Sequence, residues 1–528
     1  MSKHWKALTV VTWLGFFAAL EIPALGQLID KTRAPNNANE GINKSLAEEI
    51  GAGRGDTVTP GSSLFTISRD PFRAIRRGRQ LFQRKFTREQ GQGPRSGDGS
   101  GDIKTNLAIG AGLSDSCAGC HGRPSGAAGH GGDVATRPDG RDAPHLFGLG
   151  LKEMLADEIT ADLRAVRAQA LADARSNSAA ATKALISKGI QYGSITATPD
   201  GSVDTSRVQG VDPDLRVRPF FHHGGTISIR EFVVGALQNE MGLQAVDPDL
   251  MRASRGARIT TPAGLVLDGA LDTIEAPPTD DPHADPDRDG VLNEIPTSLV
   301  DYLEVYLLNY FEPATYQQTD TTRLGRTVFD RIGCAVCHVP DLQINRDRRV
   351  ADVATVYDPA RGIFNSLFAT ATPLYNAVDD GRGLPALKPP RLGPFLVRNV
   401  FTDFKRHDLG PAFYERQYDG TLLKEHVTTA LWGVGTTAPY GHDGRSINLT
   451  EVIRRHGGEA QASRDAFARL VPSARSALLE FLASLVLFPP DDTASNLDPG
   501  DRNASGFPQF KHGSIKLTVL FNDPSDIE

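Results

Sequence analysis

Three stretches of the chain show the spacing of apolar residues that is typical of amphipathic helices. Residues 76–86 (RRGRQLFQRKF) and 323–333 (RLGRTVFDRIG) resemble one another, and each contains a Gly-x-x-x-Phe sequence. Residues 474–488 (ARSALLEFLASLVLF) are apolar along one face and are followed by two prolines, which predicts that a helix ends there. The pattern therefore predicts three helices, of which the first two are copies of one unit.

The N-terminus has the pattern of a secretory signal peptide. Two lysines precede an apolar run over residues 7–20, which is shorter than the roughly 20 residues that a membrane span needs. Small residues just ahead of Gln27 favour cleavage at that point. We therefore expect a signal peptide over residues 1–26 and an exported, periplasmic protein without stable membrane insertion. An uncleaved anchor is the alternative.

Composition places the chain among folded proteins and argues against nucleic-acid binding. The 528 residues leave room for about three domains at roughly 150 residues each. Hydrophobic residues make up 39% and charged residues 23%, which excludes wholesale disorder. The formal net charge is −7, whereas a nucleic-acid-binding protein normally carries a basic excess. Four cysteines are too few for a disulfide scaffold of this size.

All four cysteines lie in two copies of a Cys-x-x-Cys-His sequence, at residues 117–121 and 334–338. Two disulfides or a zinc site would also use paired cysteines. The His that follows each pair of cysteines favours haem attachment over these alternatives. With 13 His in 528 residues, both of these positions would be His by chance with a probability of only about 0.0006. Two thiols on one helical turn can bond to the vinyl groups of one haem, and the adjacent His can bind its iron. We therefore predict two covalently bound haem c groups, attached through Cys117, Cys120, Cys334 and Cys337 and ligated by His121 and His338.

Each motif follows an amphipathic helix, as in a cytochrome c. In the second copy Gly333 directly precedes Cys334, whereas a glycine-rich loop over about residues 87–112 intervenes in the first. The expected fold class is mainly α, with two cytochrome c-like haem domains and long inserted loops. The expected division is an N-terminal haem domain over residues 27–295, a C-terminal haem domain over 296–490 and a tail over 491–528.

Beyond the haem motifs, the sequence resembles the bacterial di-haem cytochrome c peroxidases, and most closely the branch called di-haem oxidoreductase, putative peroxidase. The resemblance covers most of residues 70–490, apart from inserts at about 176–215 and 339–395. It implies that the C-terminal haem has two protein ligands and relays electrons, while the N-terminal haem reacts with peroxide. The segments that carry it are RDAPHLFGLGL (141–151), RPFFHHGGTISIREFVVGALQNEMG (218–242), FTDFKRHDLG (401–410) and TTALWGVGTTAPYGHDGRSINLTEVIRRHGGEA (428–460).

The resemblance also implies a sixth ligand for the C-terminal haem. In the peroxidases this ligand is a Met 14 residues after the His of a His-Asp-Gly sequence, and here that His is His442 and the residue 14 further on is His456. No Met lies in the C-terminal haem domain, since the four methionines are at positions 1, 154, 241 and 251. We therefore predict ligation by His338 and His456, which lowers the reduction potential relative to His/Met ligation. A solvated His at a helix end is the alternative for His456.

The acid–base residue implied by the resemblance is Glu240. The peroxidases carry a Glu-Met pair over the open haem face, and Glu240-Met241 stands in that place. One carboxylate can take a proton from peroxide and return it to the departing oxygen. An exposed Glu near a helix C-terminus is the alternative.

Two features of the family are not recognisable in this chain. The pocket Gln would fall in IREF (229–232), and the Trp between the haems would fall in FHHG (221–224). Several histidines stay open as resting-state ligands of the N-terminal iron, namely His130, His145, His222 and His223.

One acidic segment has the order of a calcium loop. In ADPDRDGVLNE (284–294), Asp285, Asp287, Asp289 and Gly290 follow the Asp-x-Asp-x-Asp-Gly order, in which carboxylates converge on a hard cation. The twelfth position is Pro296 rather than Glu, so the loop is not a full EF-hand loop. Calcium binding and a solvated acidic turn are both open.

These observations together predict a periplasmic di-haem c-type oxidoreductase of the peroxidase type. It would reduce hydrogen peroxide, or another small oxidant, with electrons from a small donor protein such as a cytochrome c or a cupredoxin. One alternative is the same scaffold oxidising another substrate through high-valent haem or bound oxygen. The other is an electron-transfer cytochrome without catalysis. A nucleic-acid partner is not expected, and a homodimer stays open.

Overall fold

The computed structural model describes residues 46–93, 114–122, 128, 133–134, 141–310, 314–315, 318–357, 367–416 and 420–486. The predicted signal peptide (1–26), the predicted tail (491–528) and His130 lie outside these residues. Within them are twelve α-helices, three 3₁₀ turns and seventeen short strands. The fold is therefore mixed, and the mainly α class that the sequence predicts is confirmed only in part. The cytochrome c-like character of the two domains stays a prediction.

The helices are short except for one of 29 residues. None in the described ranges is long and apolar enough to cross a membrane. They are α1 (Leu46–Ile50), α2 (Ser63–Arg69), α3 (Pro71–Gln83), α4 (Cys117–His121), α5 (Leu149–Asn177), α6 (Ile229–Met241), α7 (Pro248–Ser254), α8 (Thr297–Leu308), α9 (Asp320–Arg331), α10 (Leu449–Arg455), α11 (Gln461–Ala468) and α12 (Pro472–Ala483). The 3₁₀ turns cover Arg88–Gln90, Cys334–Val336 and Gly458–Ala460.

The strands pair antiparallel in two-stranded ladders, apart from the three-stranded sheet β3–β4–β5. They are β1 (Asp133–Val134), β2 (Arg141–Asp142), β3 (Ala181–Ser187), β4 (Ile190–Ala197), β5 (Val203–Asp204), β6 (Arg258–Thr260), β7 (Val266–Asp268), β8 (Ala314–Thr315), β9 (Leu342–Ile344), β10 (Ala351–Tyr357), β11 (Leu367–Pro373), β12 (Phe395–Val397), β13 (Arg406–Asp408), β14 (Glu415–Arg416), β15 (Leu422–Leu423), β16 (Glu425–Val427) and β17 (Leu485–Val486).

Helix α3 crosses α8 at a glycine. A Cβ on Gly78 would stand 2.2 Å from the carbonyl oxygen of Tyr302, so only glycine permits this approach. Phe82, four residues further on, is buried and contacts the ring of Tyr306 edge-on with the ring centres 5.6 Å apart. The Gly-x-x-x-Phe sequence thus marks the point where two helices meet.

The second copy of that sequence forms the same kind of crossing between α9 and α12. A Cβ on Gly325 would stand 2.0 Å from the carbonyl oxygen of Ala477. Phe329 contacts the ring of Phe481 edge-on at 5.7 Å. The two similar stretches in the sequence therefore fold into two similar helix pairs.

Two of the predicted helices end earlier than expected. Helix α3 ends at Gln83 rather than at position 86, and the Phe86 amide donates to the Asp115 carbonyl at 2.8 Å, next to the first haem motif. Helix α12 ends at Ala483 because Leu485 and Val486 form β17, which pairs with β8. An apolar run of this length has the same pattern in a helix and in a buried strand.

Helix α8 is almost wholly buried and packs against α3, α6 and α2. It begins at Thr297, so the predicted boundary between residues 295 and 296 separates it from the N-terminal helices that it contacts. The division into domains stays a prediction, and the contacts of α8 favour a boundary on its C-terminal side.

The first insert is an ordered unit built on α5. Strands β3 and β4 pack against this helix, and Tyr192 of β4 is fully buried. The Tyr192 hydroxyl donates to the carbonyl oxygen of Asp403 at 2.8 Å. The insert is thereby attached to the 401–410 segment, which lies beside the second haem motif.

Candidate active site

The first Cys-x-x-Cys-His sequence forms the short helix α4. The Ser116 hydroxyl caps this helix by accepting a hydrogen bond from the Gly119 amide at 3.1 Å. Nδ1 of His121 lies 2.7 Å from the carbonyl oxygen of Pro144 and donates to it. The proton is therefore on Nδ1, and Nε2 is the ring atom that can bind a metal.

The second sequence starts in the 3₁₀ turn Cys334–Val336 and holds His338 in the same way. Nδ1 of His338 donates to the carbonyl oxygen of Phe401 at 3.0 Å. Burial is the main reason that the pKa of His338 falls to about 4, and repulsion from the nearby His456 acts in the same direction. The imidazole is therefore neutral, as a metal ligand must be.

The two donor sets fit c-type haem better than a disulfide or a zinc site. None of the four cysteines is in a disulfide. Among the described residues, no cluster of side chains that could bind a metal ion contains both cysteines of one motif. Each motif offers two separate thiols and one imidazole held at Nδ1 by a carbonyl, which suits attachment and ligation of a haem. The residues that would hold the two haems are Cys117, Cys120 and His121 in one case and Cys334, Cys337 and His338 in the other. Their covalent attachment stays a prediction.

His456 lies near the second motif, at the C-terminal end of α10. Its Nδ1 donates to the carbonyl oxygen of Val452 at 2.7 Å, so Nε2 is again the atom that can bind a metal. Burial lowers the pKa of His456. The next residue, Gly457, donates its amide to the Leu409 carbonyl at 2.8 Å, in the 401–410 segment whose Phe401 carbonyl accepts from His338. These contacts agree with ligation of the C-terminal haem by both, which stays a prediction.

Glu240 lies beside the first motif, at the end of α6. Its carbonyl oxygen accepts a hydrogen bond from the Ser114 amide at 3.1 Å, which attaches the helix end to the segment leading into α4. Burial is the main cause that raises the pKa of Cys120, and the charge of the Glu240 carboxylate adds to it. The backbone at Glu240 is thus attached through Ser114 to the first motif, since the Ser114 hydroxyl lies 3.6 Å from Sγ of Cys120. Its catalytic role stays a prediction.

Arg230, in the IREF stretch where the pocket Gln is not recognisable, belongs to a buried ion network. It pairs with Asp247 at 2.7 Å and with Asp301 and Glu304 at 2.9 Å, and all four side chains have no solvent exposure. Burial lowers the pKa of Arg230, but the three carboxylates outweigh it and hold that pKa well above its usual value. The network connects α6 to α8 and to the start of α7.

His407 lies against the second motif. Its Nε2 is 2.9 Å from Oδ2 of Asp403, and its Nδ1 is 2.8 Å from Oε2 of Glu459. Three atoms that could bind a metal ion lie within 4.8 Å of one another here, one each from Cys337, Asp403 and His407. Burial lowers the pKa of His407, but hydrogen bonds with Asp403, Cys337 and Glu459 raise it to about 11. A cationic imidazole thus stands beside the predicted attachment site Cys337.

Three histidines that sequence reasoning did not connect form a stack, which we call the histidine cluster: His222, His426 and His442. The rings of His222 and His442 are 4.4 Å apart at 12°, those of His426 and His442 are 4.5 Å apart at 18°, and those of His222 and His426 are 5.2 Å apart at 28°. His223 contacts the edge of His222 at 5.0 Å. His222 therefore lies with two histidines of the C-terminal half, and no local spacing in the sequence could have joined them.

His145 and Trp432 connect the first motif to the C-terminal half. Nε2 of His145 lies 2.8 Å from the carbonyl oxygen of Trp432, and the preceding residue, Pro144, is the partner of His121. Trp432 is the single Trp after residue 26, and a Cβ on Gly148 would stand 2.6 Å from its ring. The FHHG segment lacks the family's Trp, but an aromatic residue does stand between the two halves.

The acidic loop brings its three carboxylates together. One oxygen each from Asp285, Asp287 and Asp289 lie within 4.8 Å of one another. Asp285 accepts hydrogen bonds from the amides of Asp289 at 3.1 Å and Gly290 at 2.9 Å, and Gly290 has a positive φ of 93°. Calcium binding stays a prediction.

Similarity of part of the chain to a known family supports its assignment to the oxidoreductases at that coarse level. Residues 386–485 match the family described as "Di-haem oxidoreductase, putative peroxidase", which confirms over that range the resemblance seen in the sequence. The range contains His442 and His456 but neither Cys-x-x-Cys-His sequence.

Among solved structures, a hydrazine synthase of Kuenenia stuttgartiensis pressurized with 20 bar xenon matches at 15% identity, with a TM-score of 0.22. The match covers 36% of this chain and 55% of the solved chain, so this protein spans about half the length of that one. No curated protein matches the sequence.

Proposed function

We propose that the protein is an exported di-haem c-type oxidoreductase of the peroxidase type. It reduces hydrogen peroxide to two waters with two protons and two electrons. The electrons come from a small donor protein, a cytochrome c or a cupredoxin, and pass from the C-terminal to the N-terminal haem. One observation carries the proposal: the end of α6 that bears Glu240 is hydrogen-bonded to the segment leading into the first motif, whereas the end of α10 that bears His456 is hydrogen-bonded to the 401–410 segment that holds His338 of the second.

The first motif is the site of the peroxide reaction. When bound, the haem supplies the iron at which peroxide is held and reduced. Glu240 takes the proton from the oxygen that approaches the iron and delivers it to the oxygen that leaves as water. The hydrogen bond from Ser114 to the Glu240 backbone holds the end of α6 in place for this transfer. The Pro144 carbonyl keeps His121 in the tautomer that binds iron through Nε2.

The second motif is the electron relay. His338 and His456 both donate from Nδ1 to a backbone carbonyl, so Nε2 of each is the atom that would hold the second haem. A haem held by two imidazoles would supply electron transfer rather than reaction with peroxide. The hydrogen bond between His145 and the Trp432 carbonyl supplies a path from this half to Pro144 and His121.

Two further features belong to the same proposal. Residues 1–26 direct export to the periplasm and are then removed. Asp285, Asp287 and Asp289 bind calcium, supported by the convergence of their carboxylates and by the turn at Gly290.

Stopped-flow mixing of the reduced holoprotein with peroxide tests the role of Glu240. Glu240→Gln keeps the shape of the side chain but removes the acid, so the rate of the peroxide reaction should fall by about 10²–10⁴-fold. Glu240→Asp should retain part of the rate, and Asn239→Ala, the neighbouring change on α6, should react as the wild type does. A Glu240→Gln variant that reacts at the wild-type rate would remove Glu240 from the mechanism.

A further inference from the structure

The histidine cluster is held together by chain segments that are far apart in the sequence. The Val427 amide donates to the His222 carbonyl at 2.8 Å, and this bond places His222 next to His426 of β16. The turn that carries His442 is closed by an ion pair of 2.8 Å between Asp443 and Arg455. The cluster is therefore built by several independent backbone elements.

A carboxylate completes the cluster. Oε2 of Glu415 is 3.3 Å from Nε2 of His442 and 3.5 Å from Nε2 of His222. All three side chains are largely shielded, with exposures of 11%, 9% and 14% for Glu415, His442 and His222. An anionic oxygen thus stands between two ring nitrogens inside the protein.

His426 contributes a buried ring nitrogen. The residue is 5% exposed, and its Nδ1 lies 3.0 Å from Nδ1 of His222. Its Nε2 is buried and makes no hydrogen bond of normal geometry with any described residue, although the Phe413 backbone is near. A buried polar atom of this kind is expected to have a partner such as a water or a metal ion.

Two of the donor spacings are close to those of a tetrahedral metal site. Ligand atoms about 2.0–2.1 Å from zinc are about 3.3 Å from one another in a tetrahedron. Oε2 of Glu415 is 3.3 Å from Nε2 of His442 and 3.5 Å from Nε2 of His222, and one nitrogen from each of the three histidines lie within 4.8 Å of one another. The histidine rings are stacked, so binding of one ion by all four donors requires the rings to turn toward it.

We propose that His222, His426, His442 and Glu415 form a binding site for a divalent transition-metal ion of the zinc type. Three imidazoles and one carboxylate are ligands that zinc prefers, and their single negative charge offsets part of the ion's charge. The site joins His222 of the N-terminal half to three residues of the C-terminal half. It contains none of the three predicted haem ligands His121, His338 and His456, and a metal ion here would use His222, one of the histidines left open as a resting-state ligand of the N-terminal iron. The ring of Phe413 separates the site from His456, with its centre 5.3 Å from that of His456 and 6.4 Å from that of His442.

Metal analysis of the purified holoprotein tests this site. After dialysis against a weak chelator, we expect one zinc for every two irons, and absorption at the zinc X-ray edge should show imidazole nitrogens at about 2.0–2.1 Å. Iron is silent at that edge, and the measurement needs no variant. A wild-type protein that holds no metal and takes up no added Zn²⁺ at this stoichiometry, or an edge spectrum without imidazole scattering, would overturn the proposal.

Variants then assign the ligands. His426→Ala and Glu415→Gln should each weaken Zn²⁺ binding by at least about 100-fold in calorimetric titrations, since loss of a partner that only orients a ligand already weakens binding by 10–100-fold. His283→Ala, at an exposed histidine outside the cluster, should bind Zn²⁺ as the wild type does. A wild-type protein that contains copper instead of zinc would also support the site, provided that His426→Ala and Glu415→Gln no longer bind the copper. Unchanged Zn²⁺ affinity in His426→Ala, or a changed haem spectrum with zinc retained, would overturn it. Haem content and peroxide turnover report separately on the proposed function.

Discussion

Gly325 is the residue at which a single methyl group should disturb the fold most clearly. A Cβ there would stand 2.0 Å from the carbonyl oxygen of Ala477, 2.6 Å from its carbonyl carbon and 2.7 Å from Cβ of Phe481. Ordinary van der Waals contact begins at 3.4 Å, so α9 and α12 would have to separate by about 1.4 Å along that line. The atoms in the way belong mainly to backbone, which cannot rotate aside as a side chain can.

The size of the effect follows from two opposing terms. Overpacking of this kind typically costs about 1–3 kcal/mol, and the separation also weakens the contacts of Phe329 and Phe481 around the crossing. Alanine in place of glycine inside a helix stabilises the helix by up to about 1 kcal/mol, which opposes this cost. Since the obstructing atom is a backbone oxygen, we expect Gly325→Ala to destabilise the protein by about 2 kcal/mol.

Differential scanning calorimetry of the holoproteins measures this effect. A loss of about 2 kcal/mol should lower the midpoint of the affected transition by roughly 4–8 °C for a unit of 150–250 residues. Gly235→Ala is the matched control, because Gly235 is also inside a helix and has nothing within 4 Å of its Cβ position. That variant should be as stable as the wild type or up to about 1 kcal/mol more stable. Equal midpoints for the two variants would refute the close helix crossing.

The buried arginine and the predicted sixth ligand each lead to a further prediction. Arg230→Met removes the cation from among three fully buried carboxylates and should cost about 3–5 kcal/mol, seen as a lower calorimetric midpoint; an unchanged midpoint would mean that the network is not formed. His456→Ala should convert one low-spin haem to high spin, and His456→Met should raise its reduction potential, because thioether is a weaker donor than imidazole. Visible spectra and redox titration measure both, and if neither changes, the ligand is another residue.

The parts of the structure that the sequence predicts well rest on local spacing. The Gly-x-x-x-Phe repeat indicated two similar helices, and both cross a partner helix at that glycine. The choice of Glu240 and His456 rests on the resemblance and not on local spacing, and their roles stay predictions. The glycine and the phenylalanine of each repeat are four residues apart on one helix, so local spacing is enough to mark the crossing.

The features that were missed depend on residues far apart in the chain. His222 and His442 are 220 positions apart, and no periodic pattern links residues across such a distance. The short strands were missed for another reason: β17 is only two residues long, and its Leu485-Val486 continues the apolar pattern of α12. What makes it a strand is its pairing with β8, which is a tertiary contact.

Electron paramagnetic resonance of the oxidised protein, before and after the addition of hydrogen peroxide, tests the proposed function most directly. We expect one low-spin haem, with two imidazole ligands, and a second haem whose signal changes within the dead time of freezing when peroxide is added. Glu240→Gln should slow that change without altering the low-spin signal. Two low-spin haems that do not respond to peroxide would contradict the account and would favour an electron-transfer cytochrome without catalysis.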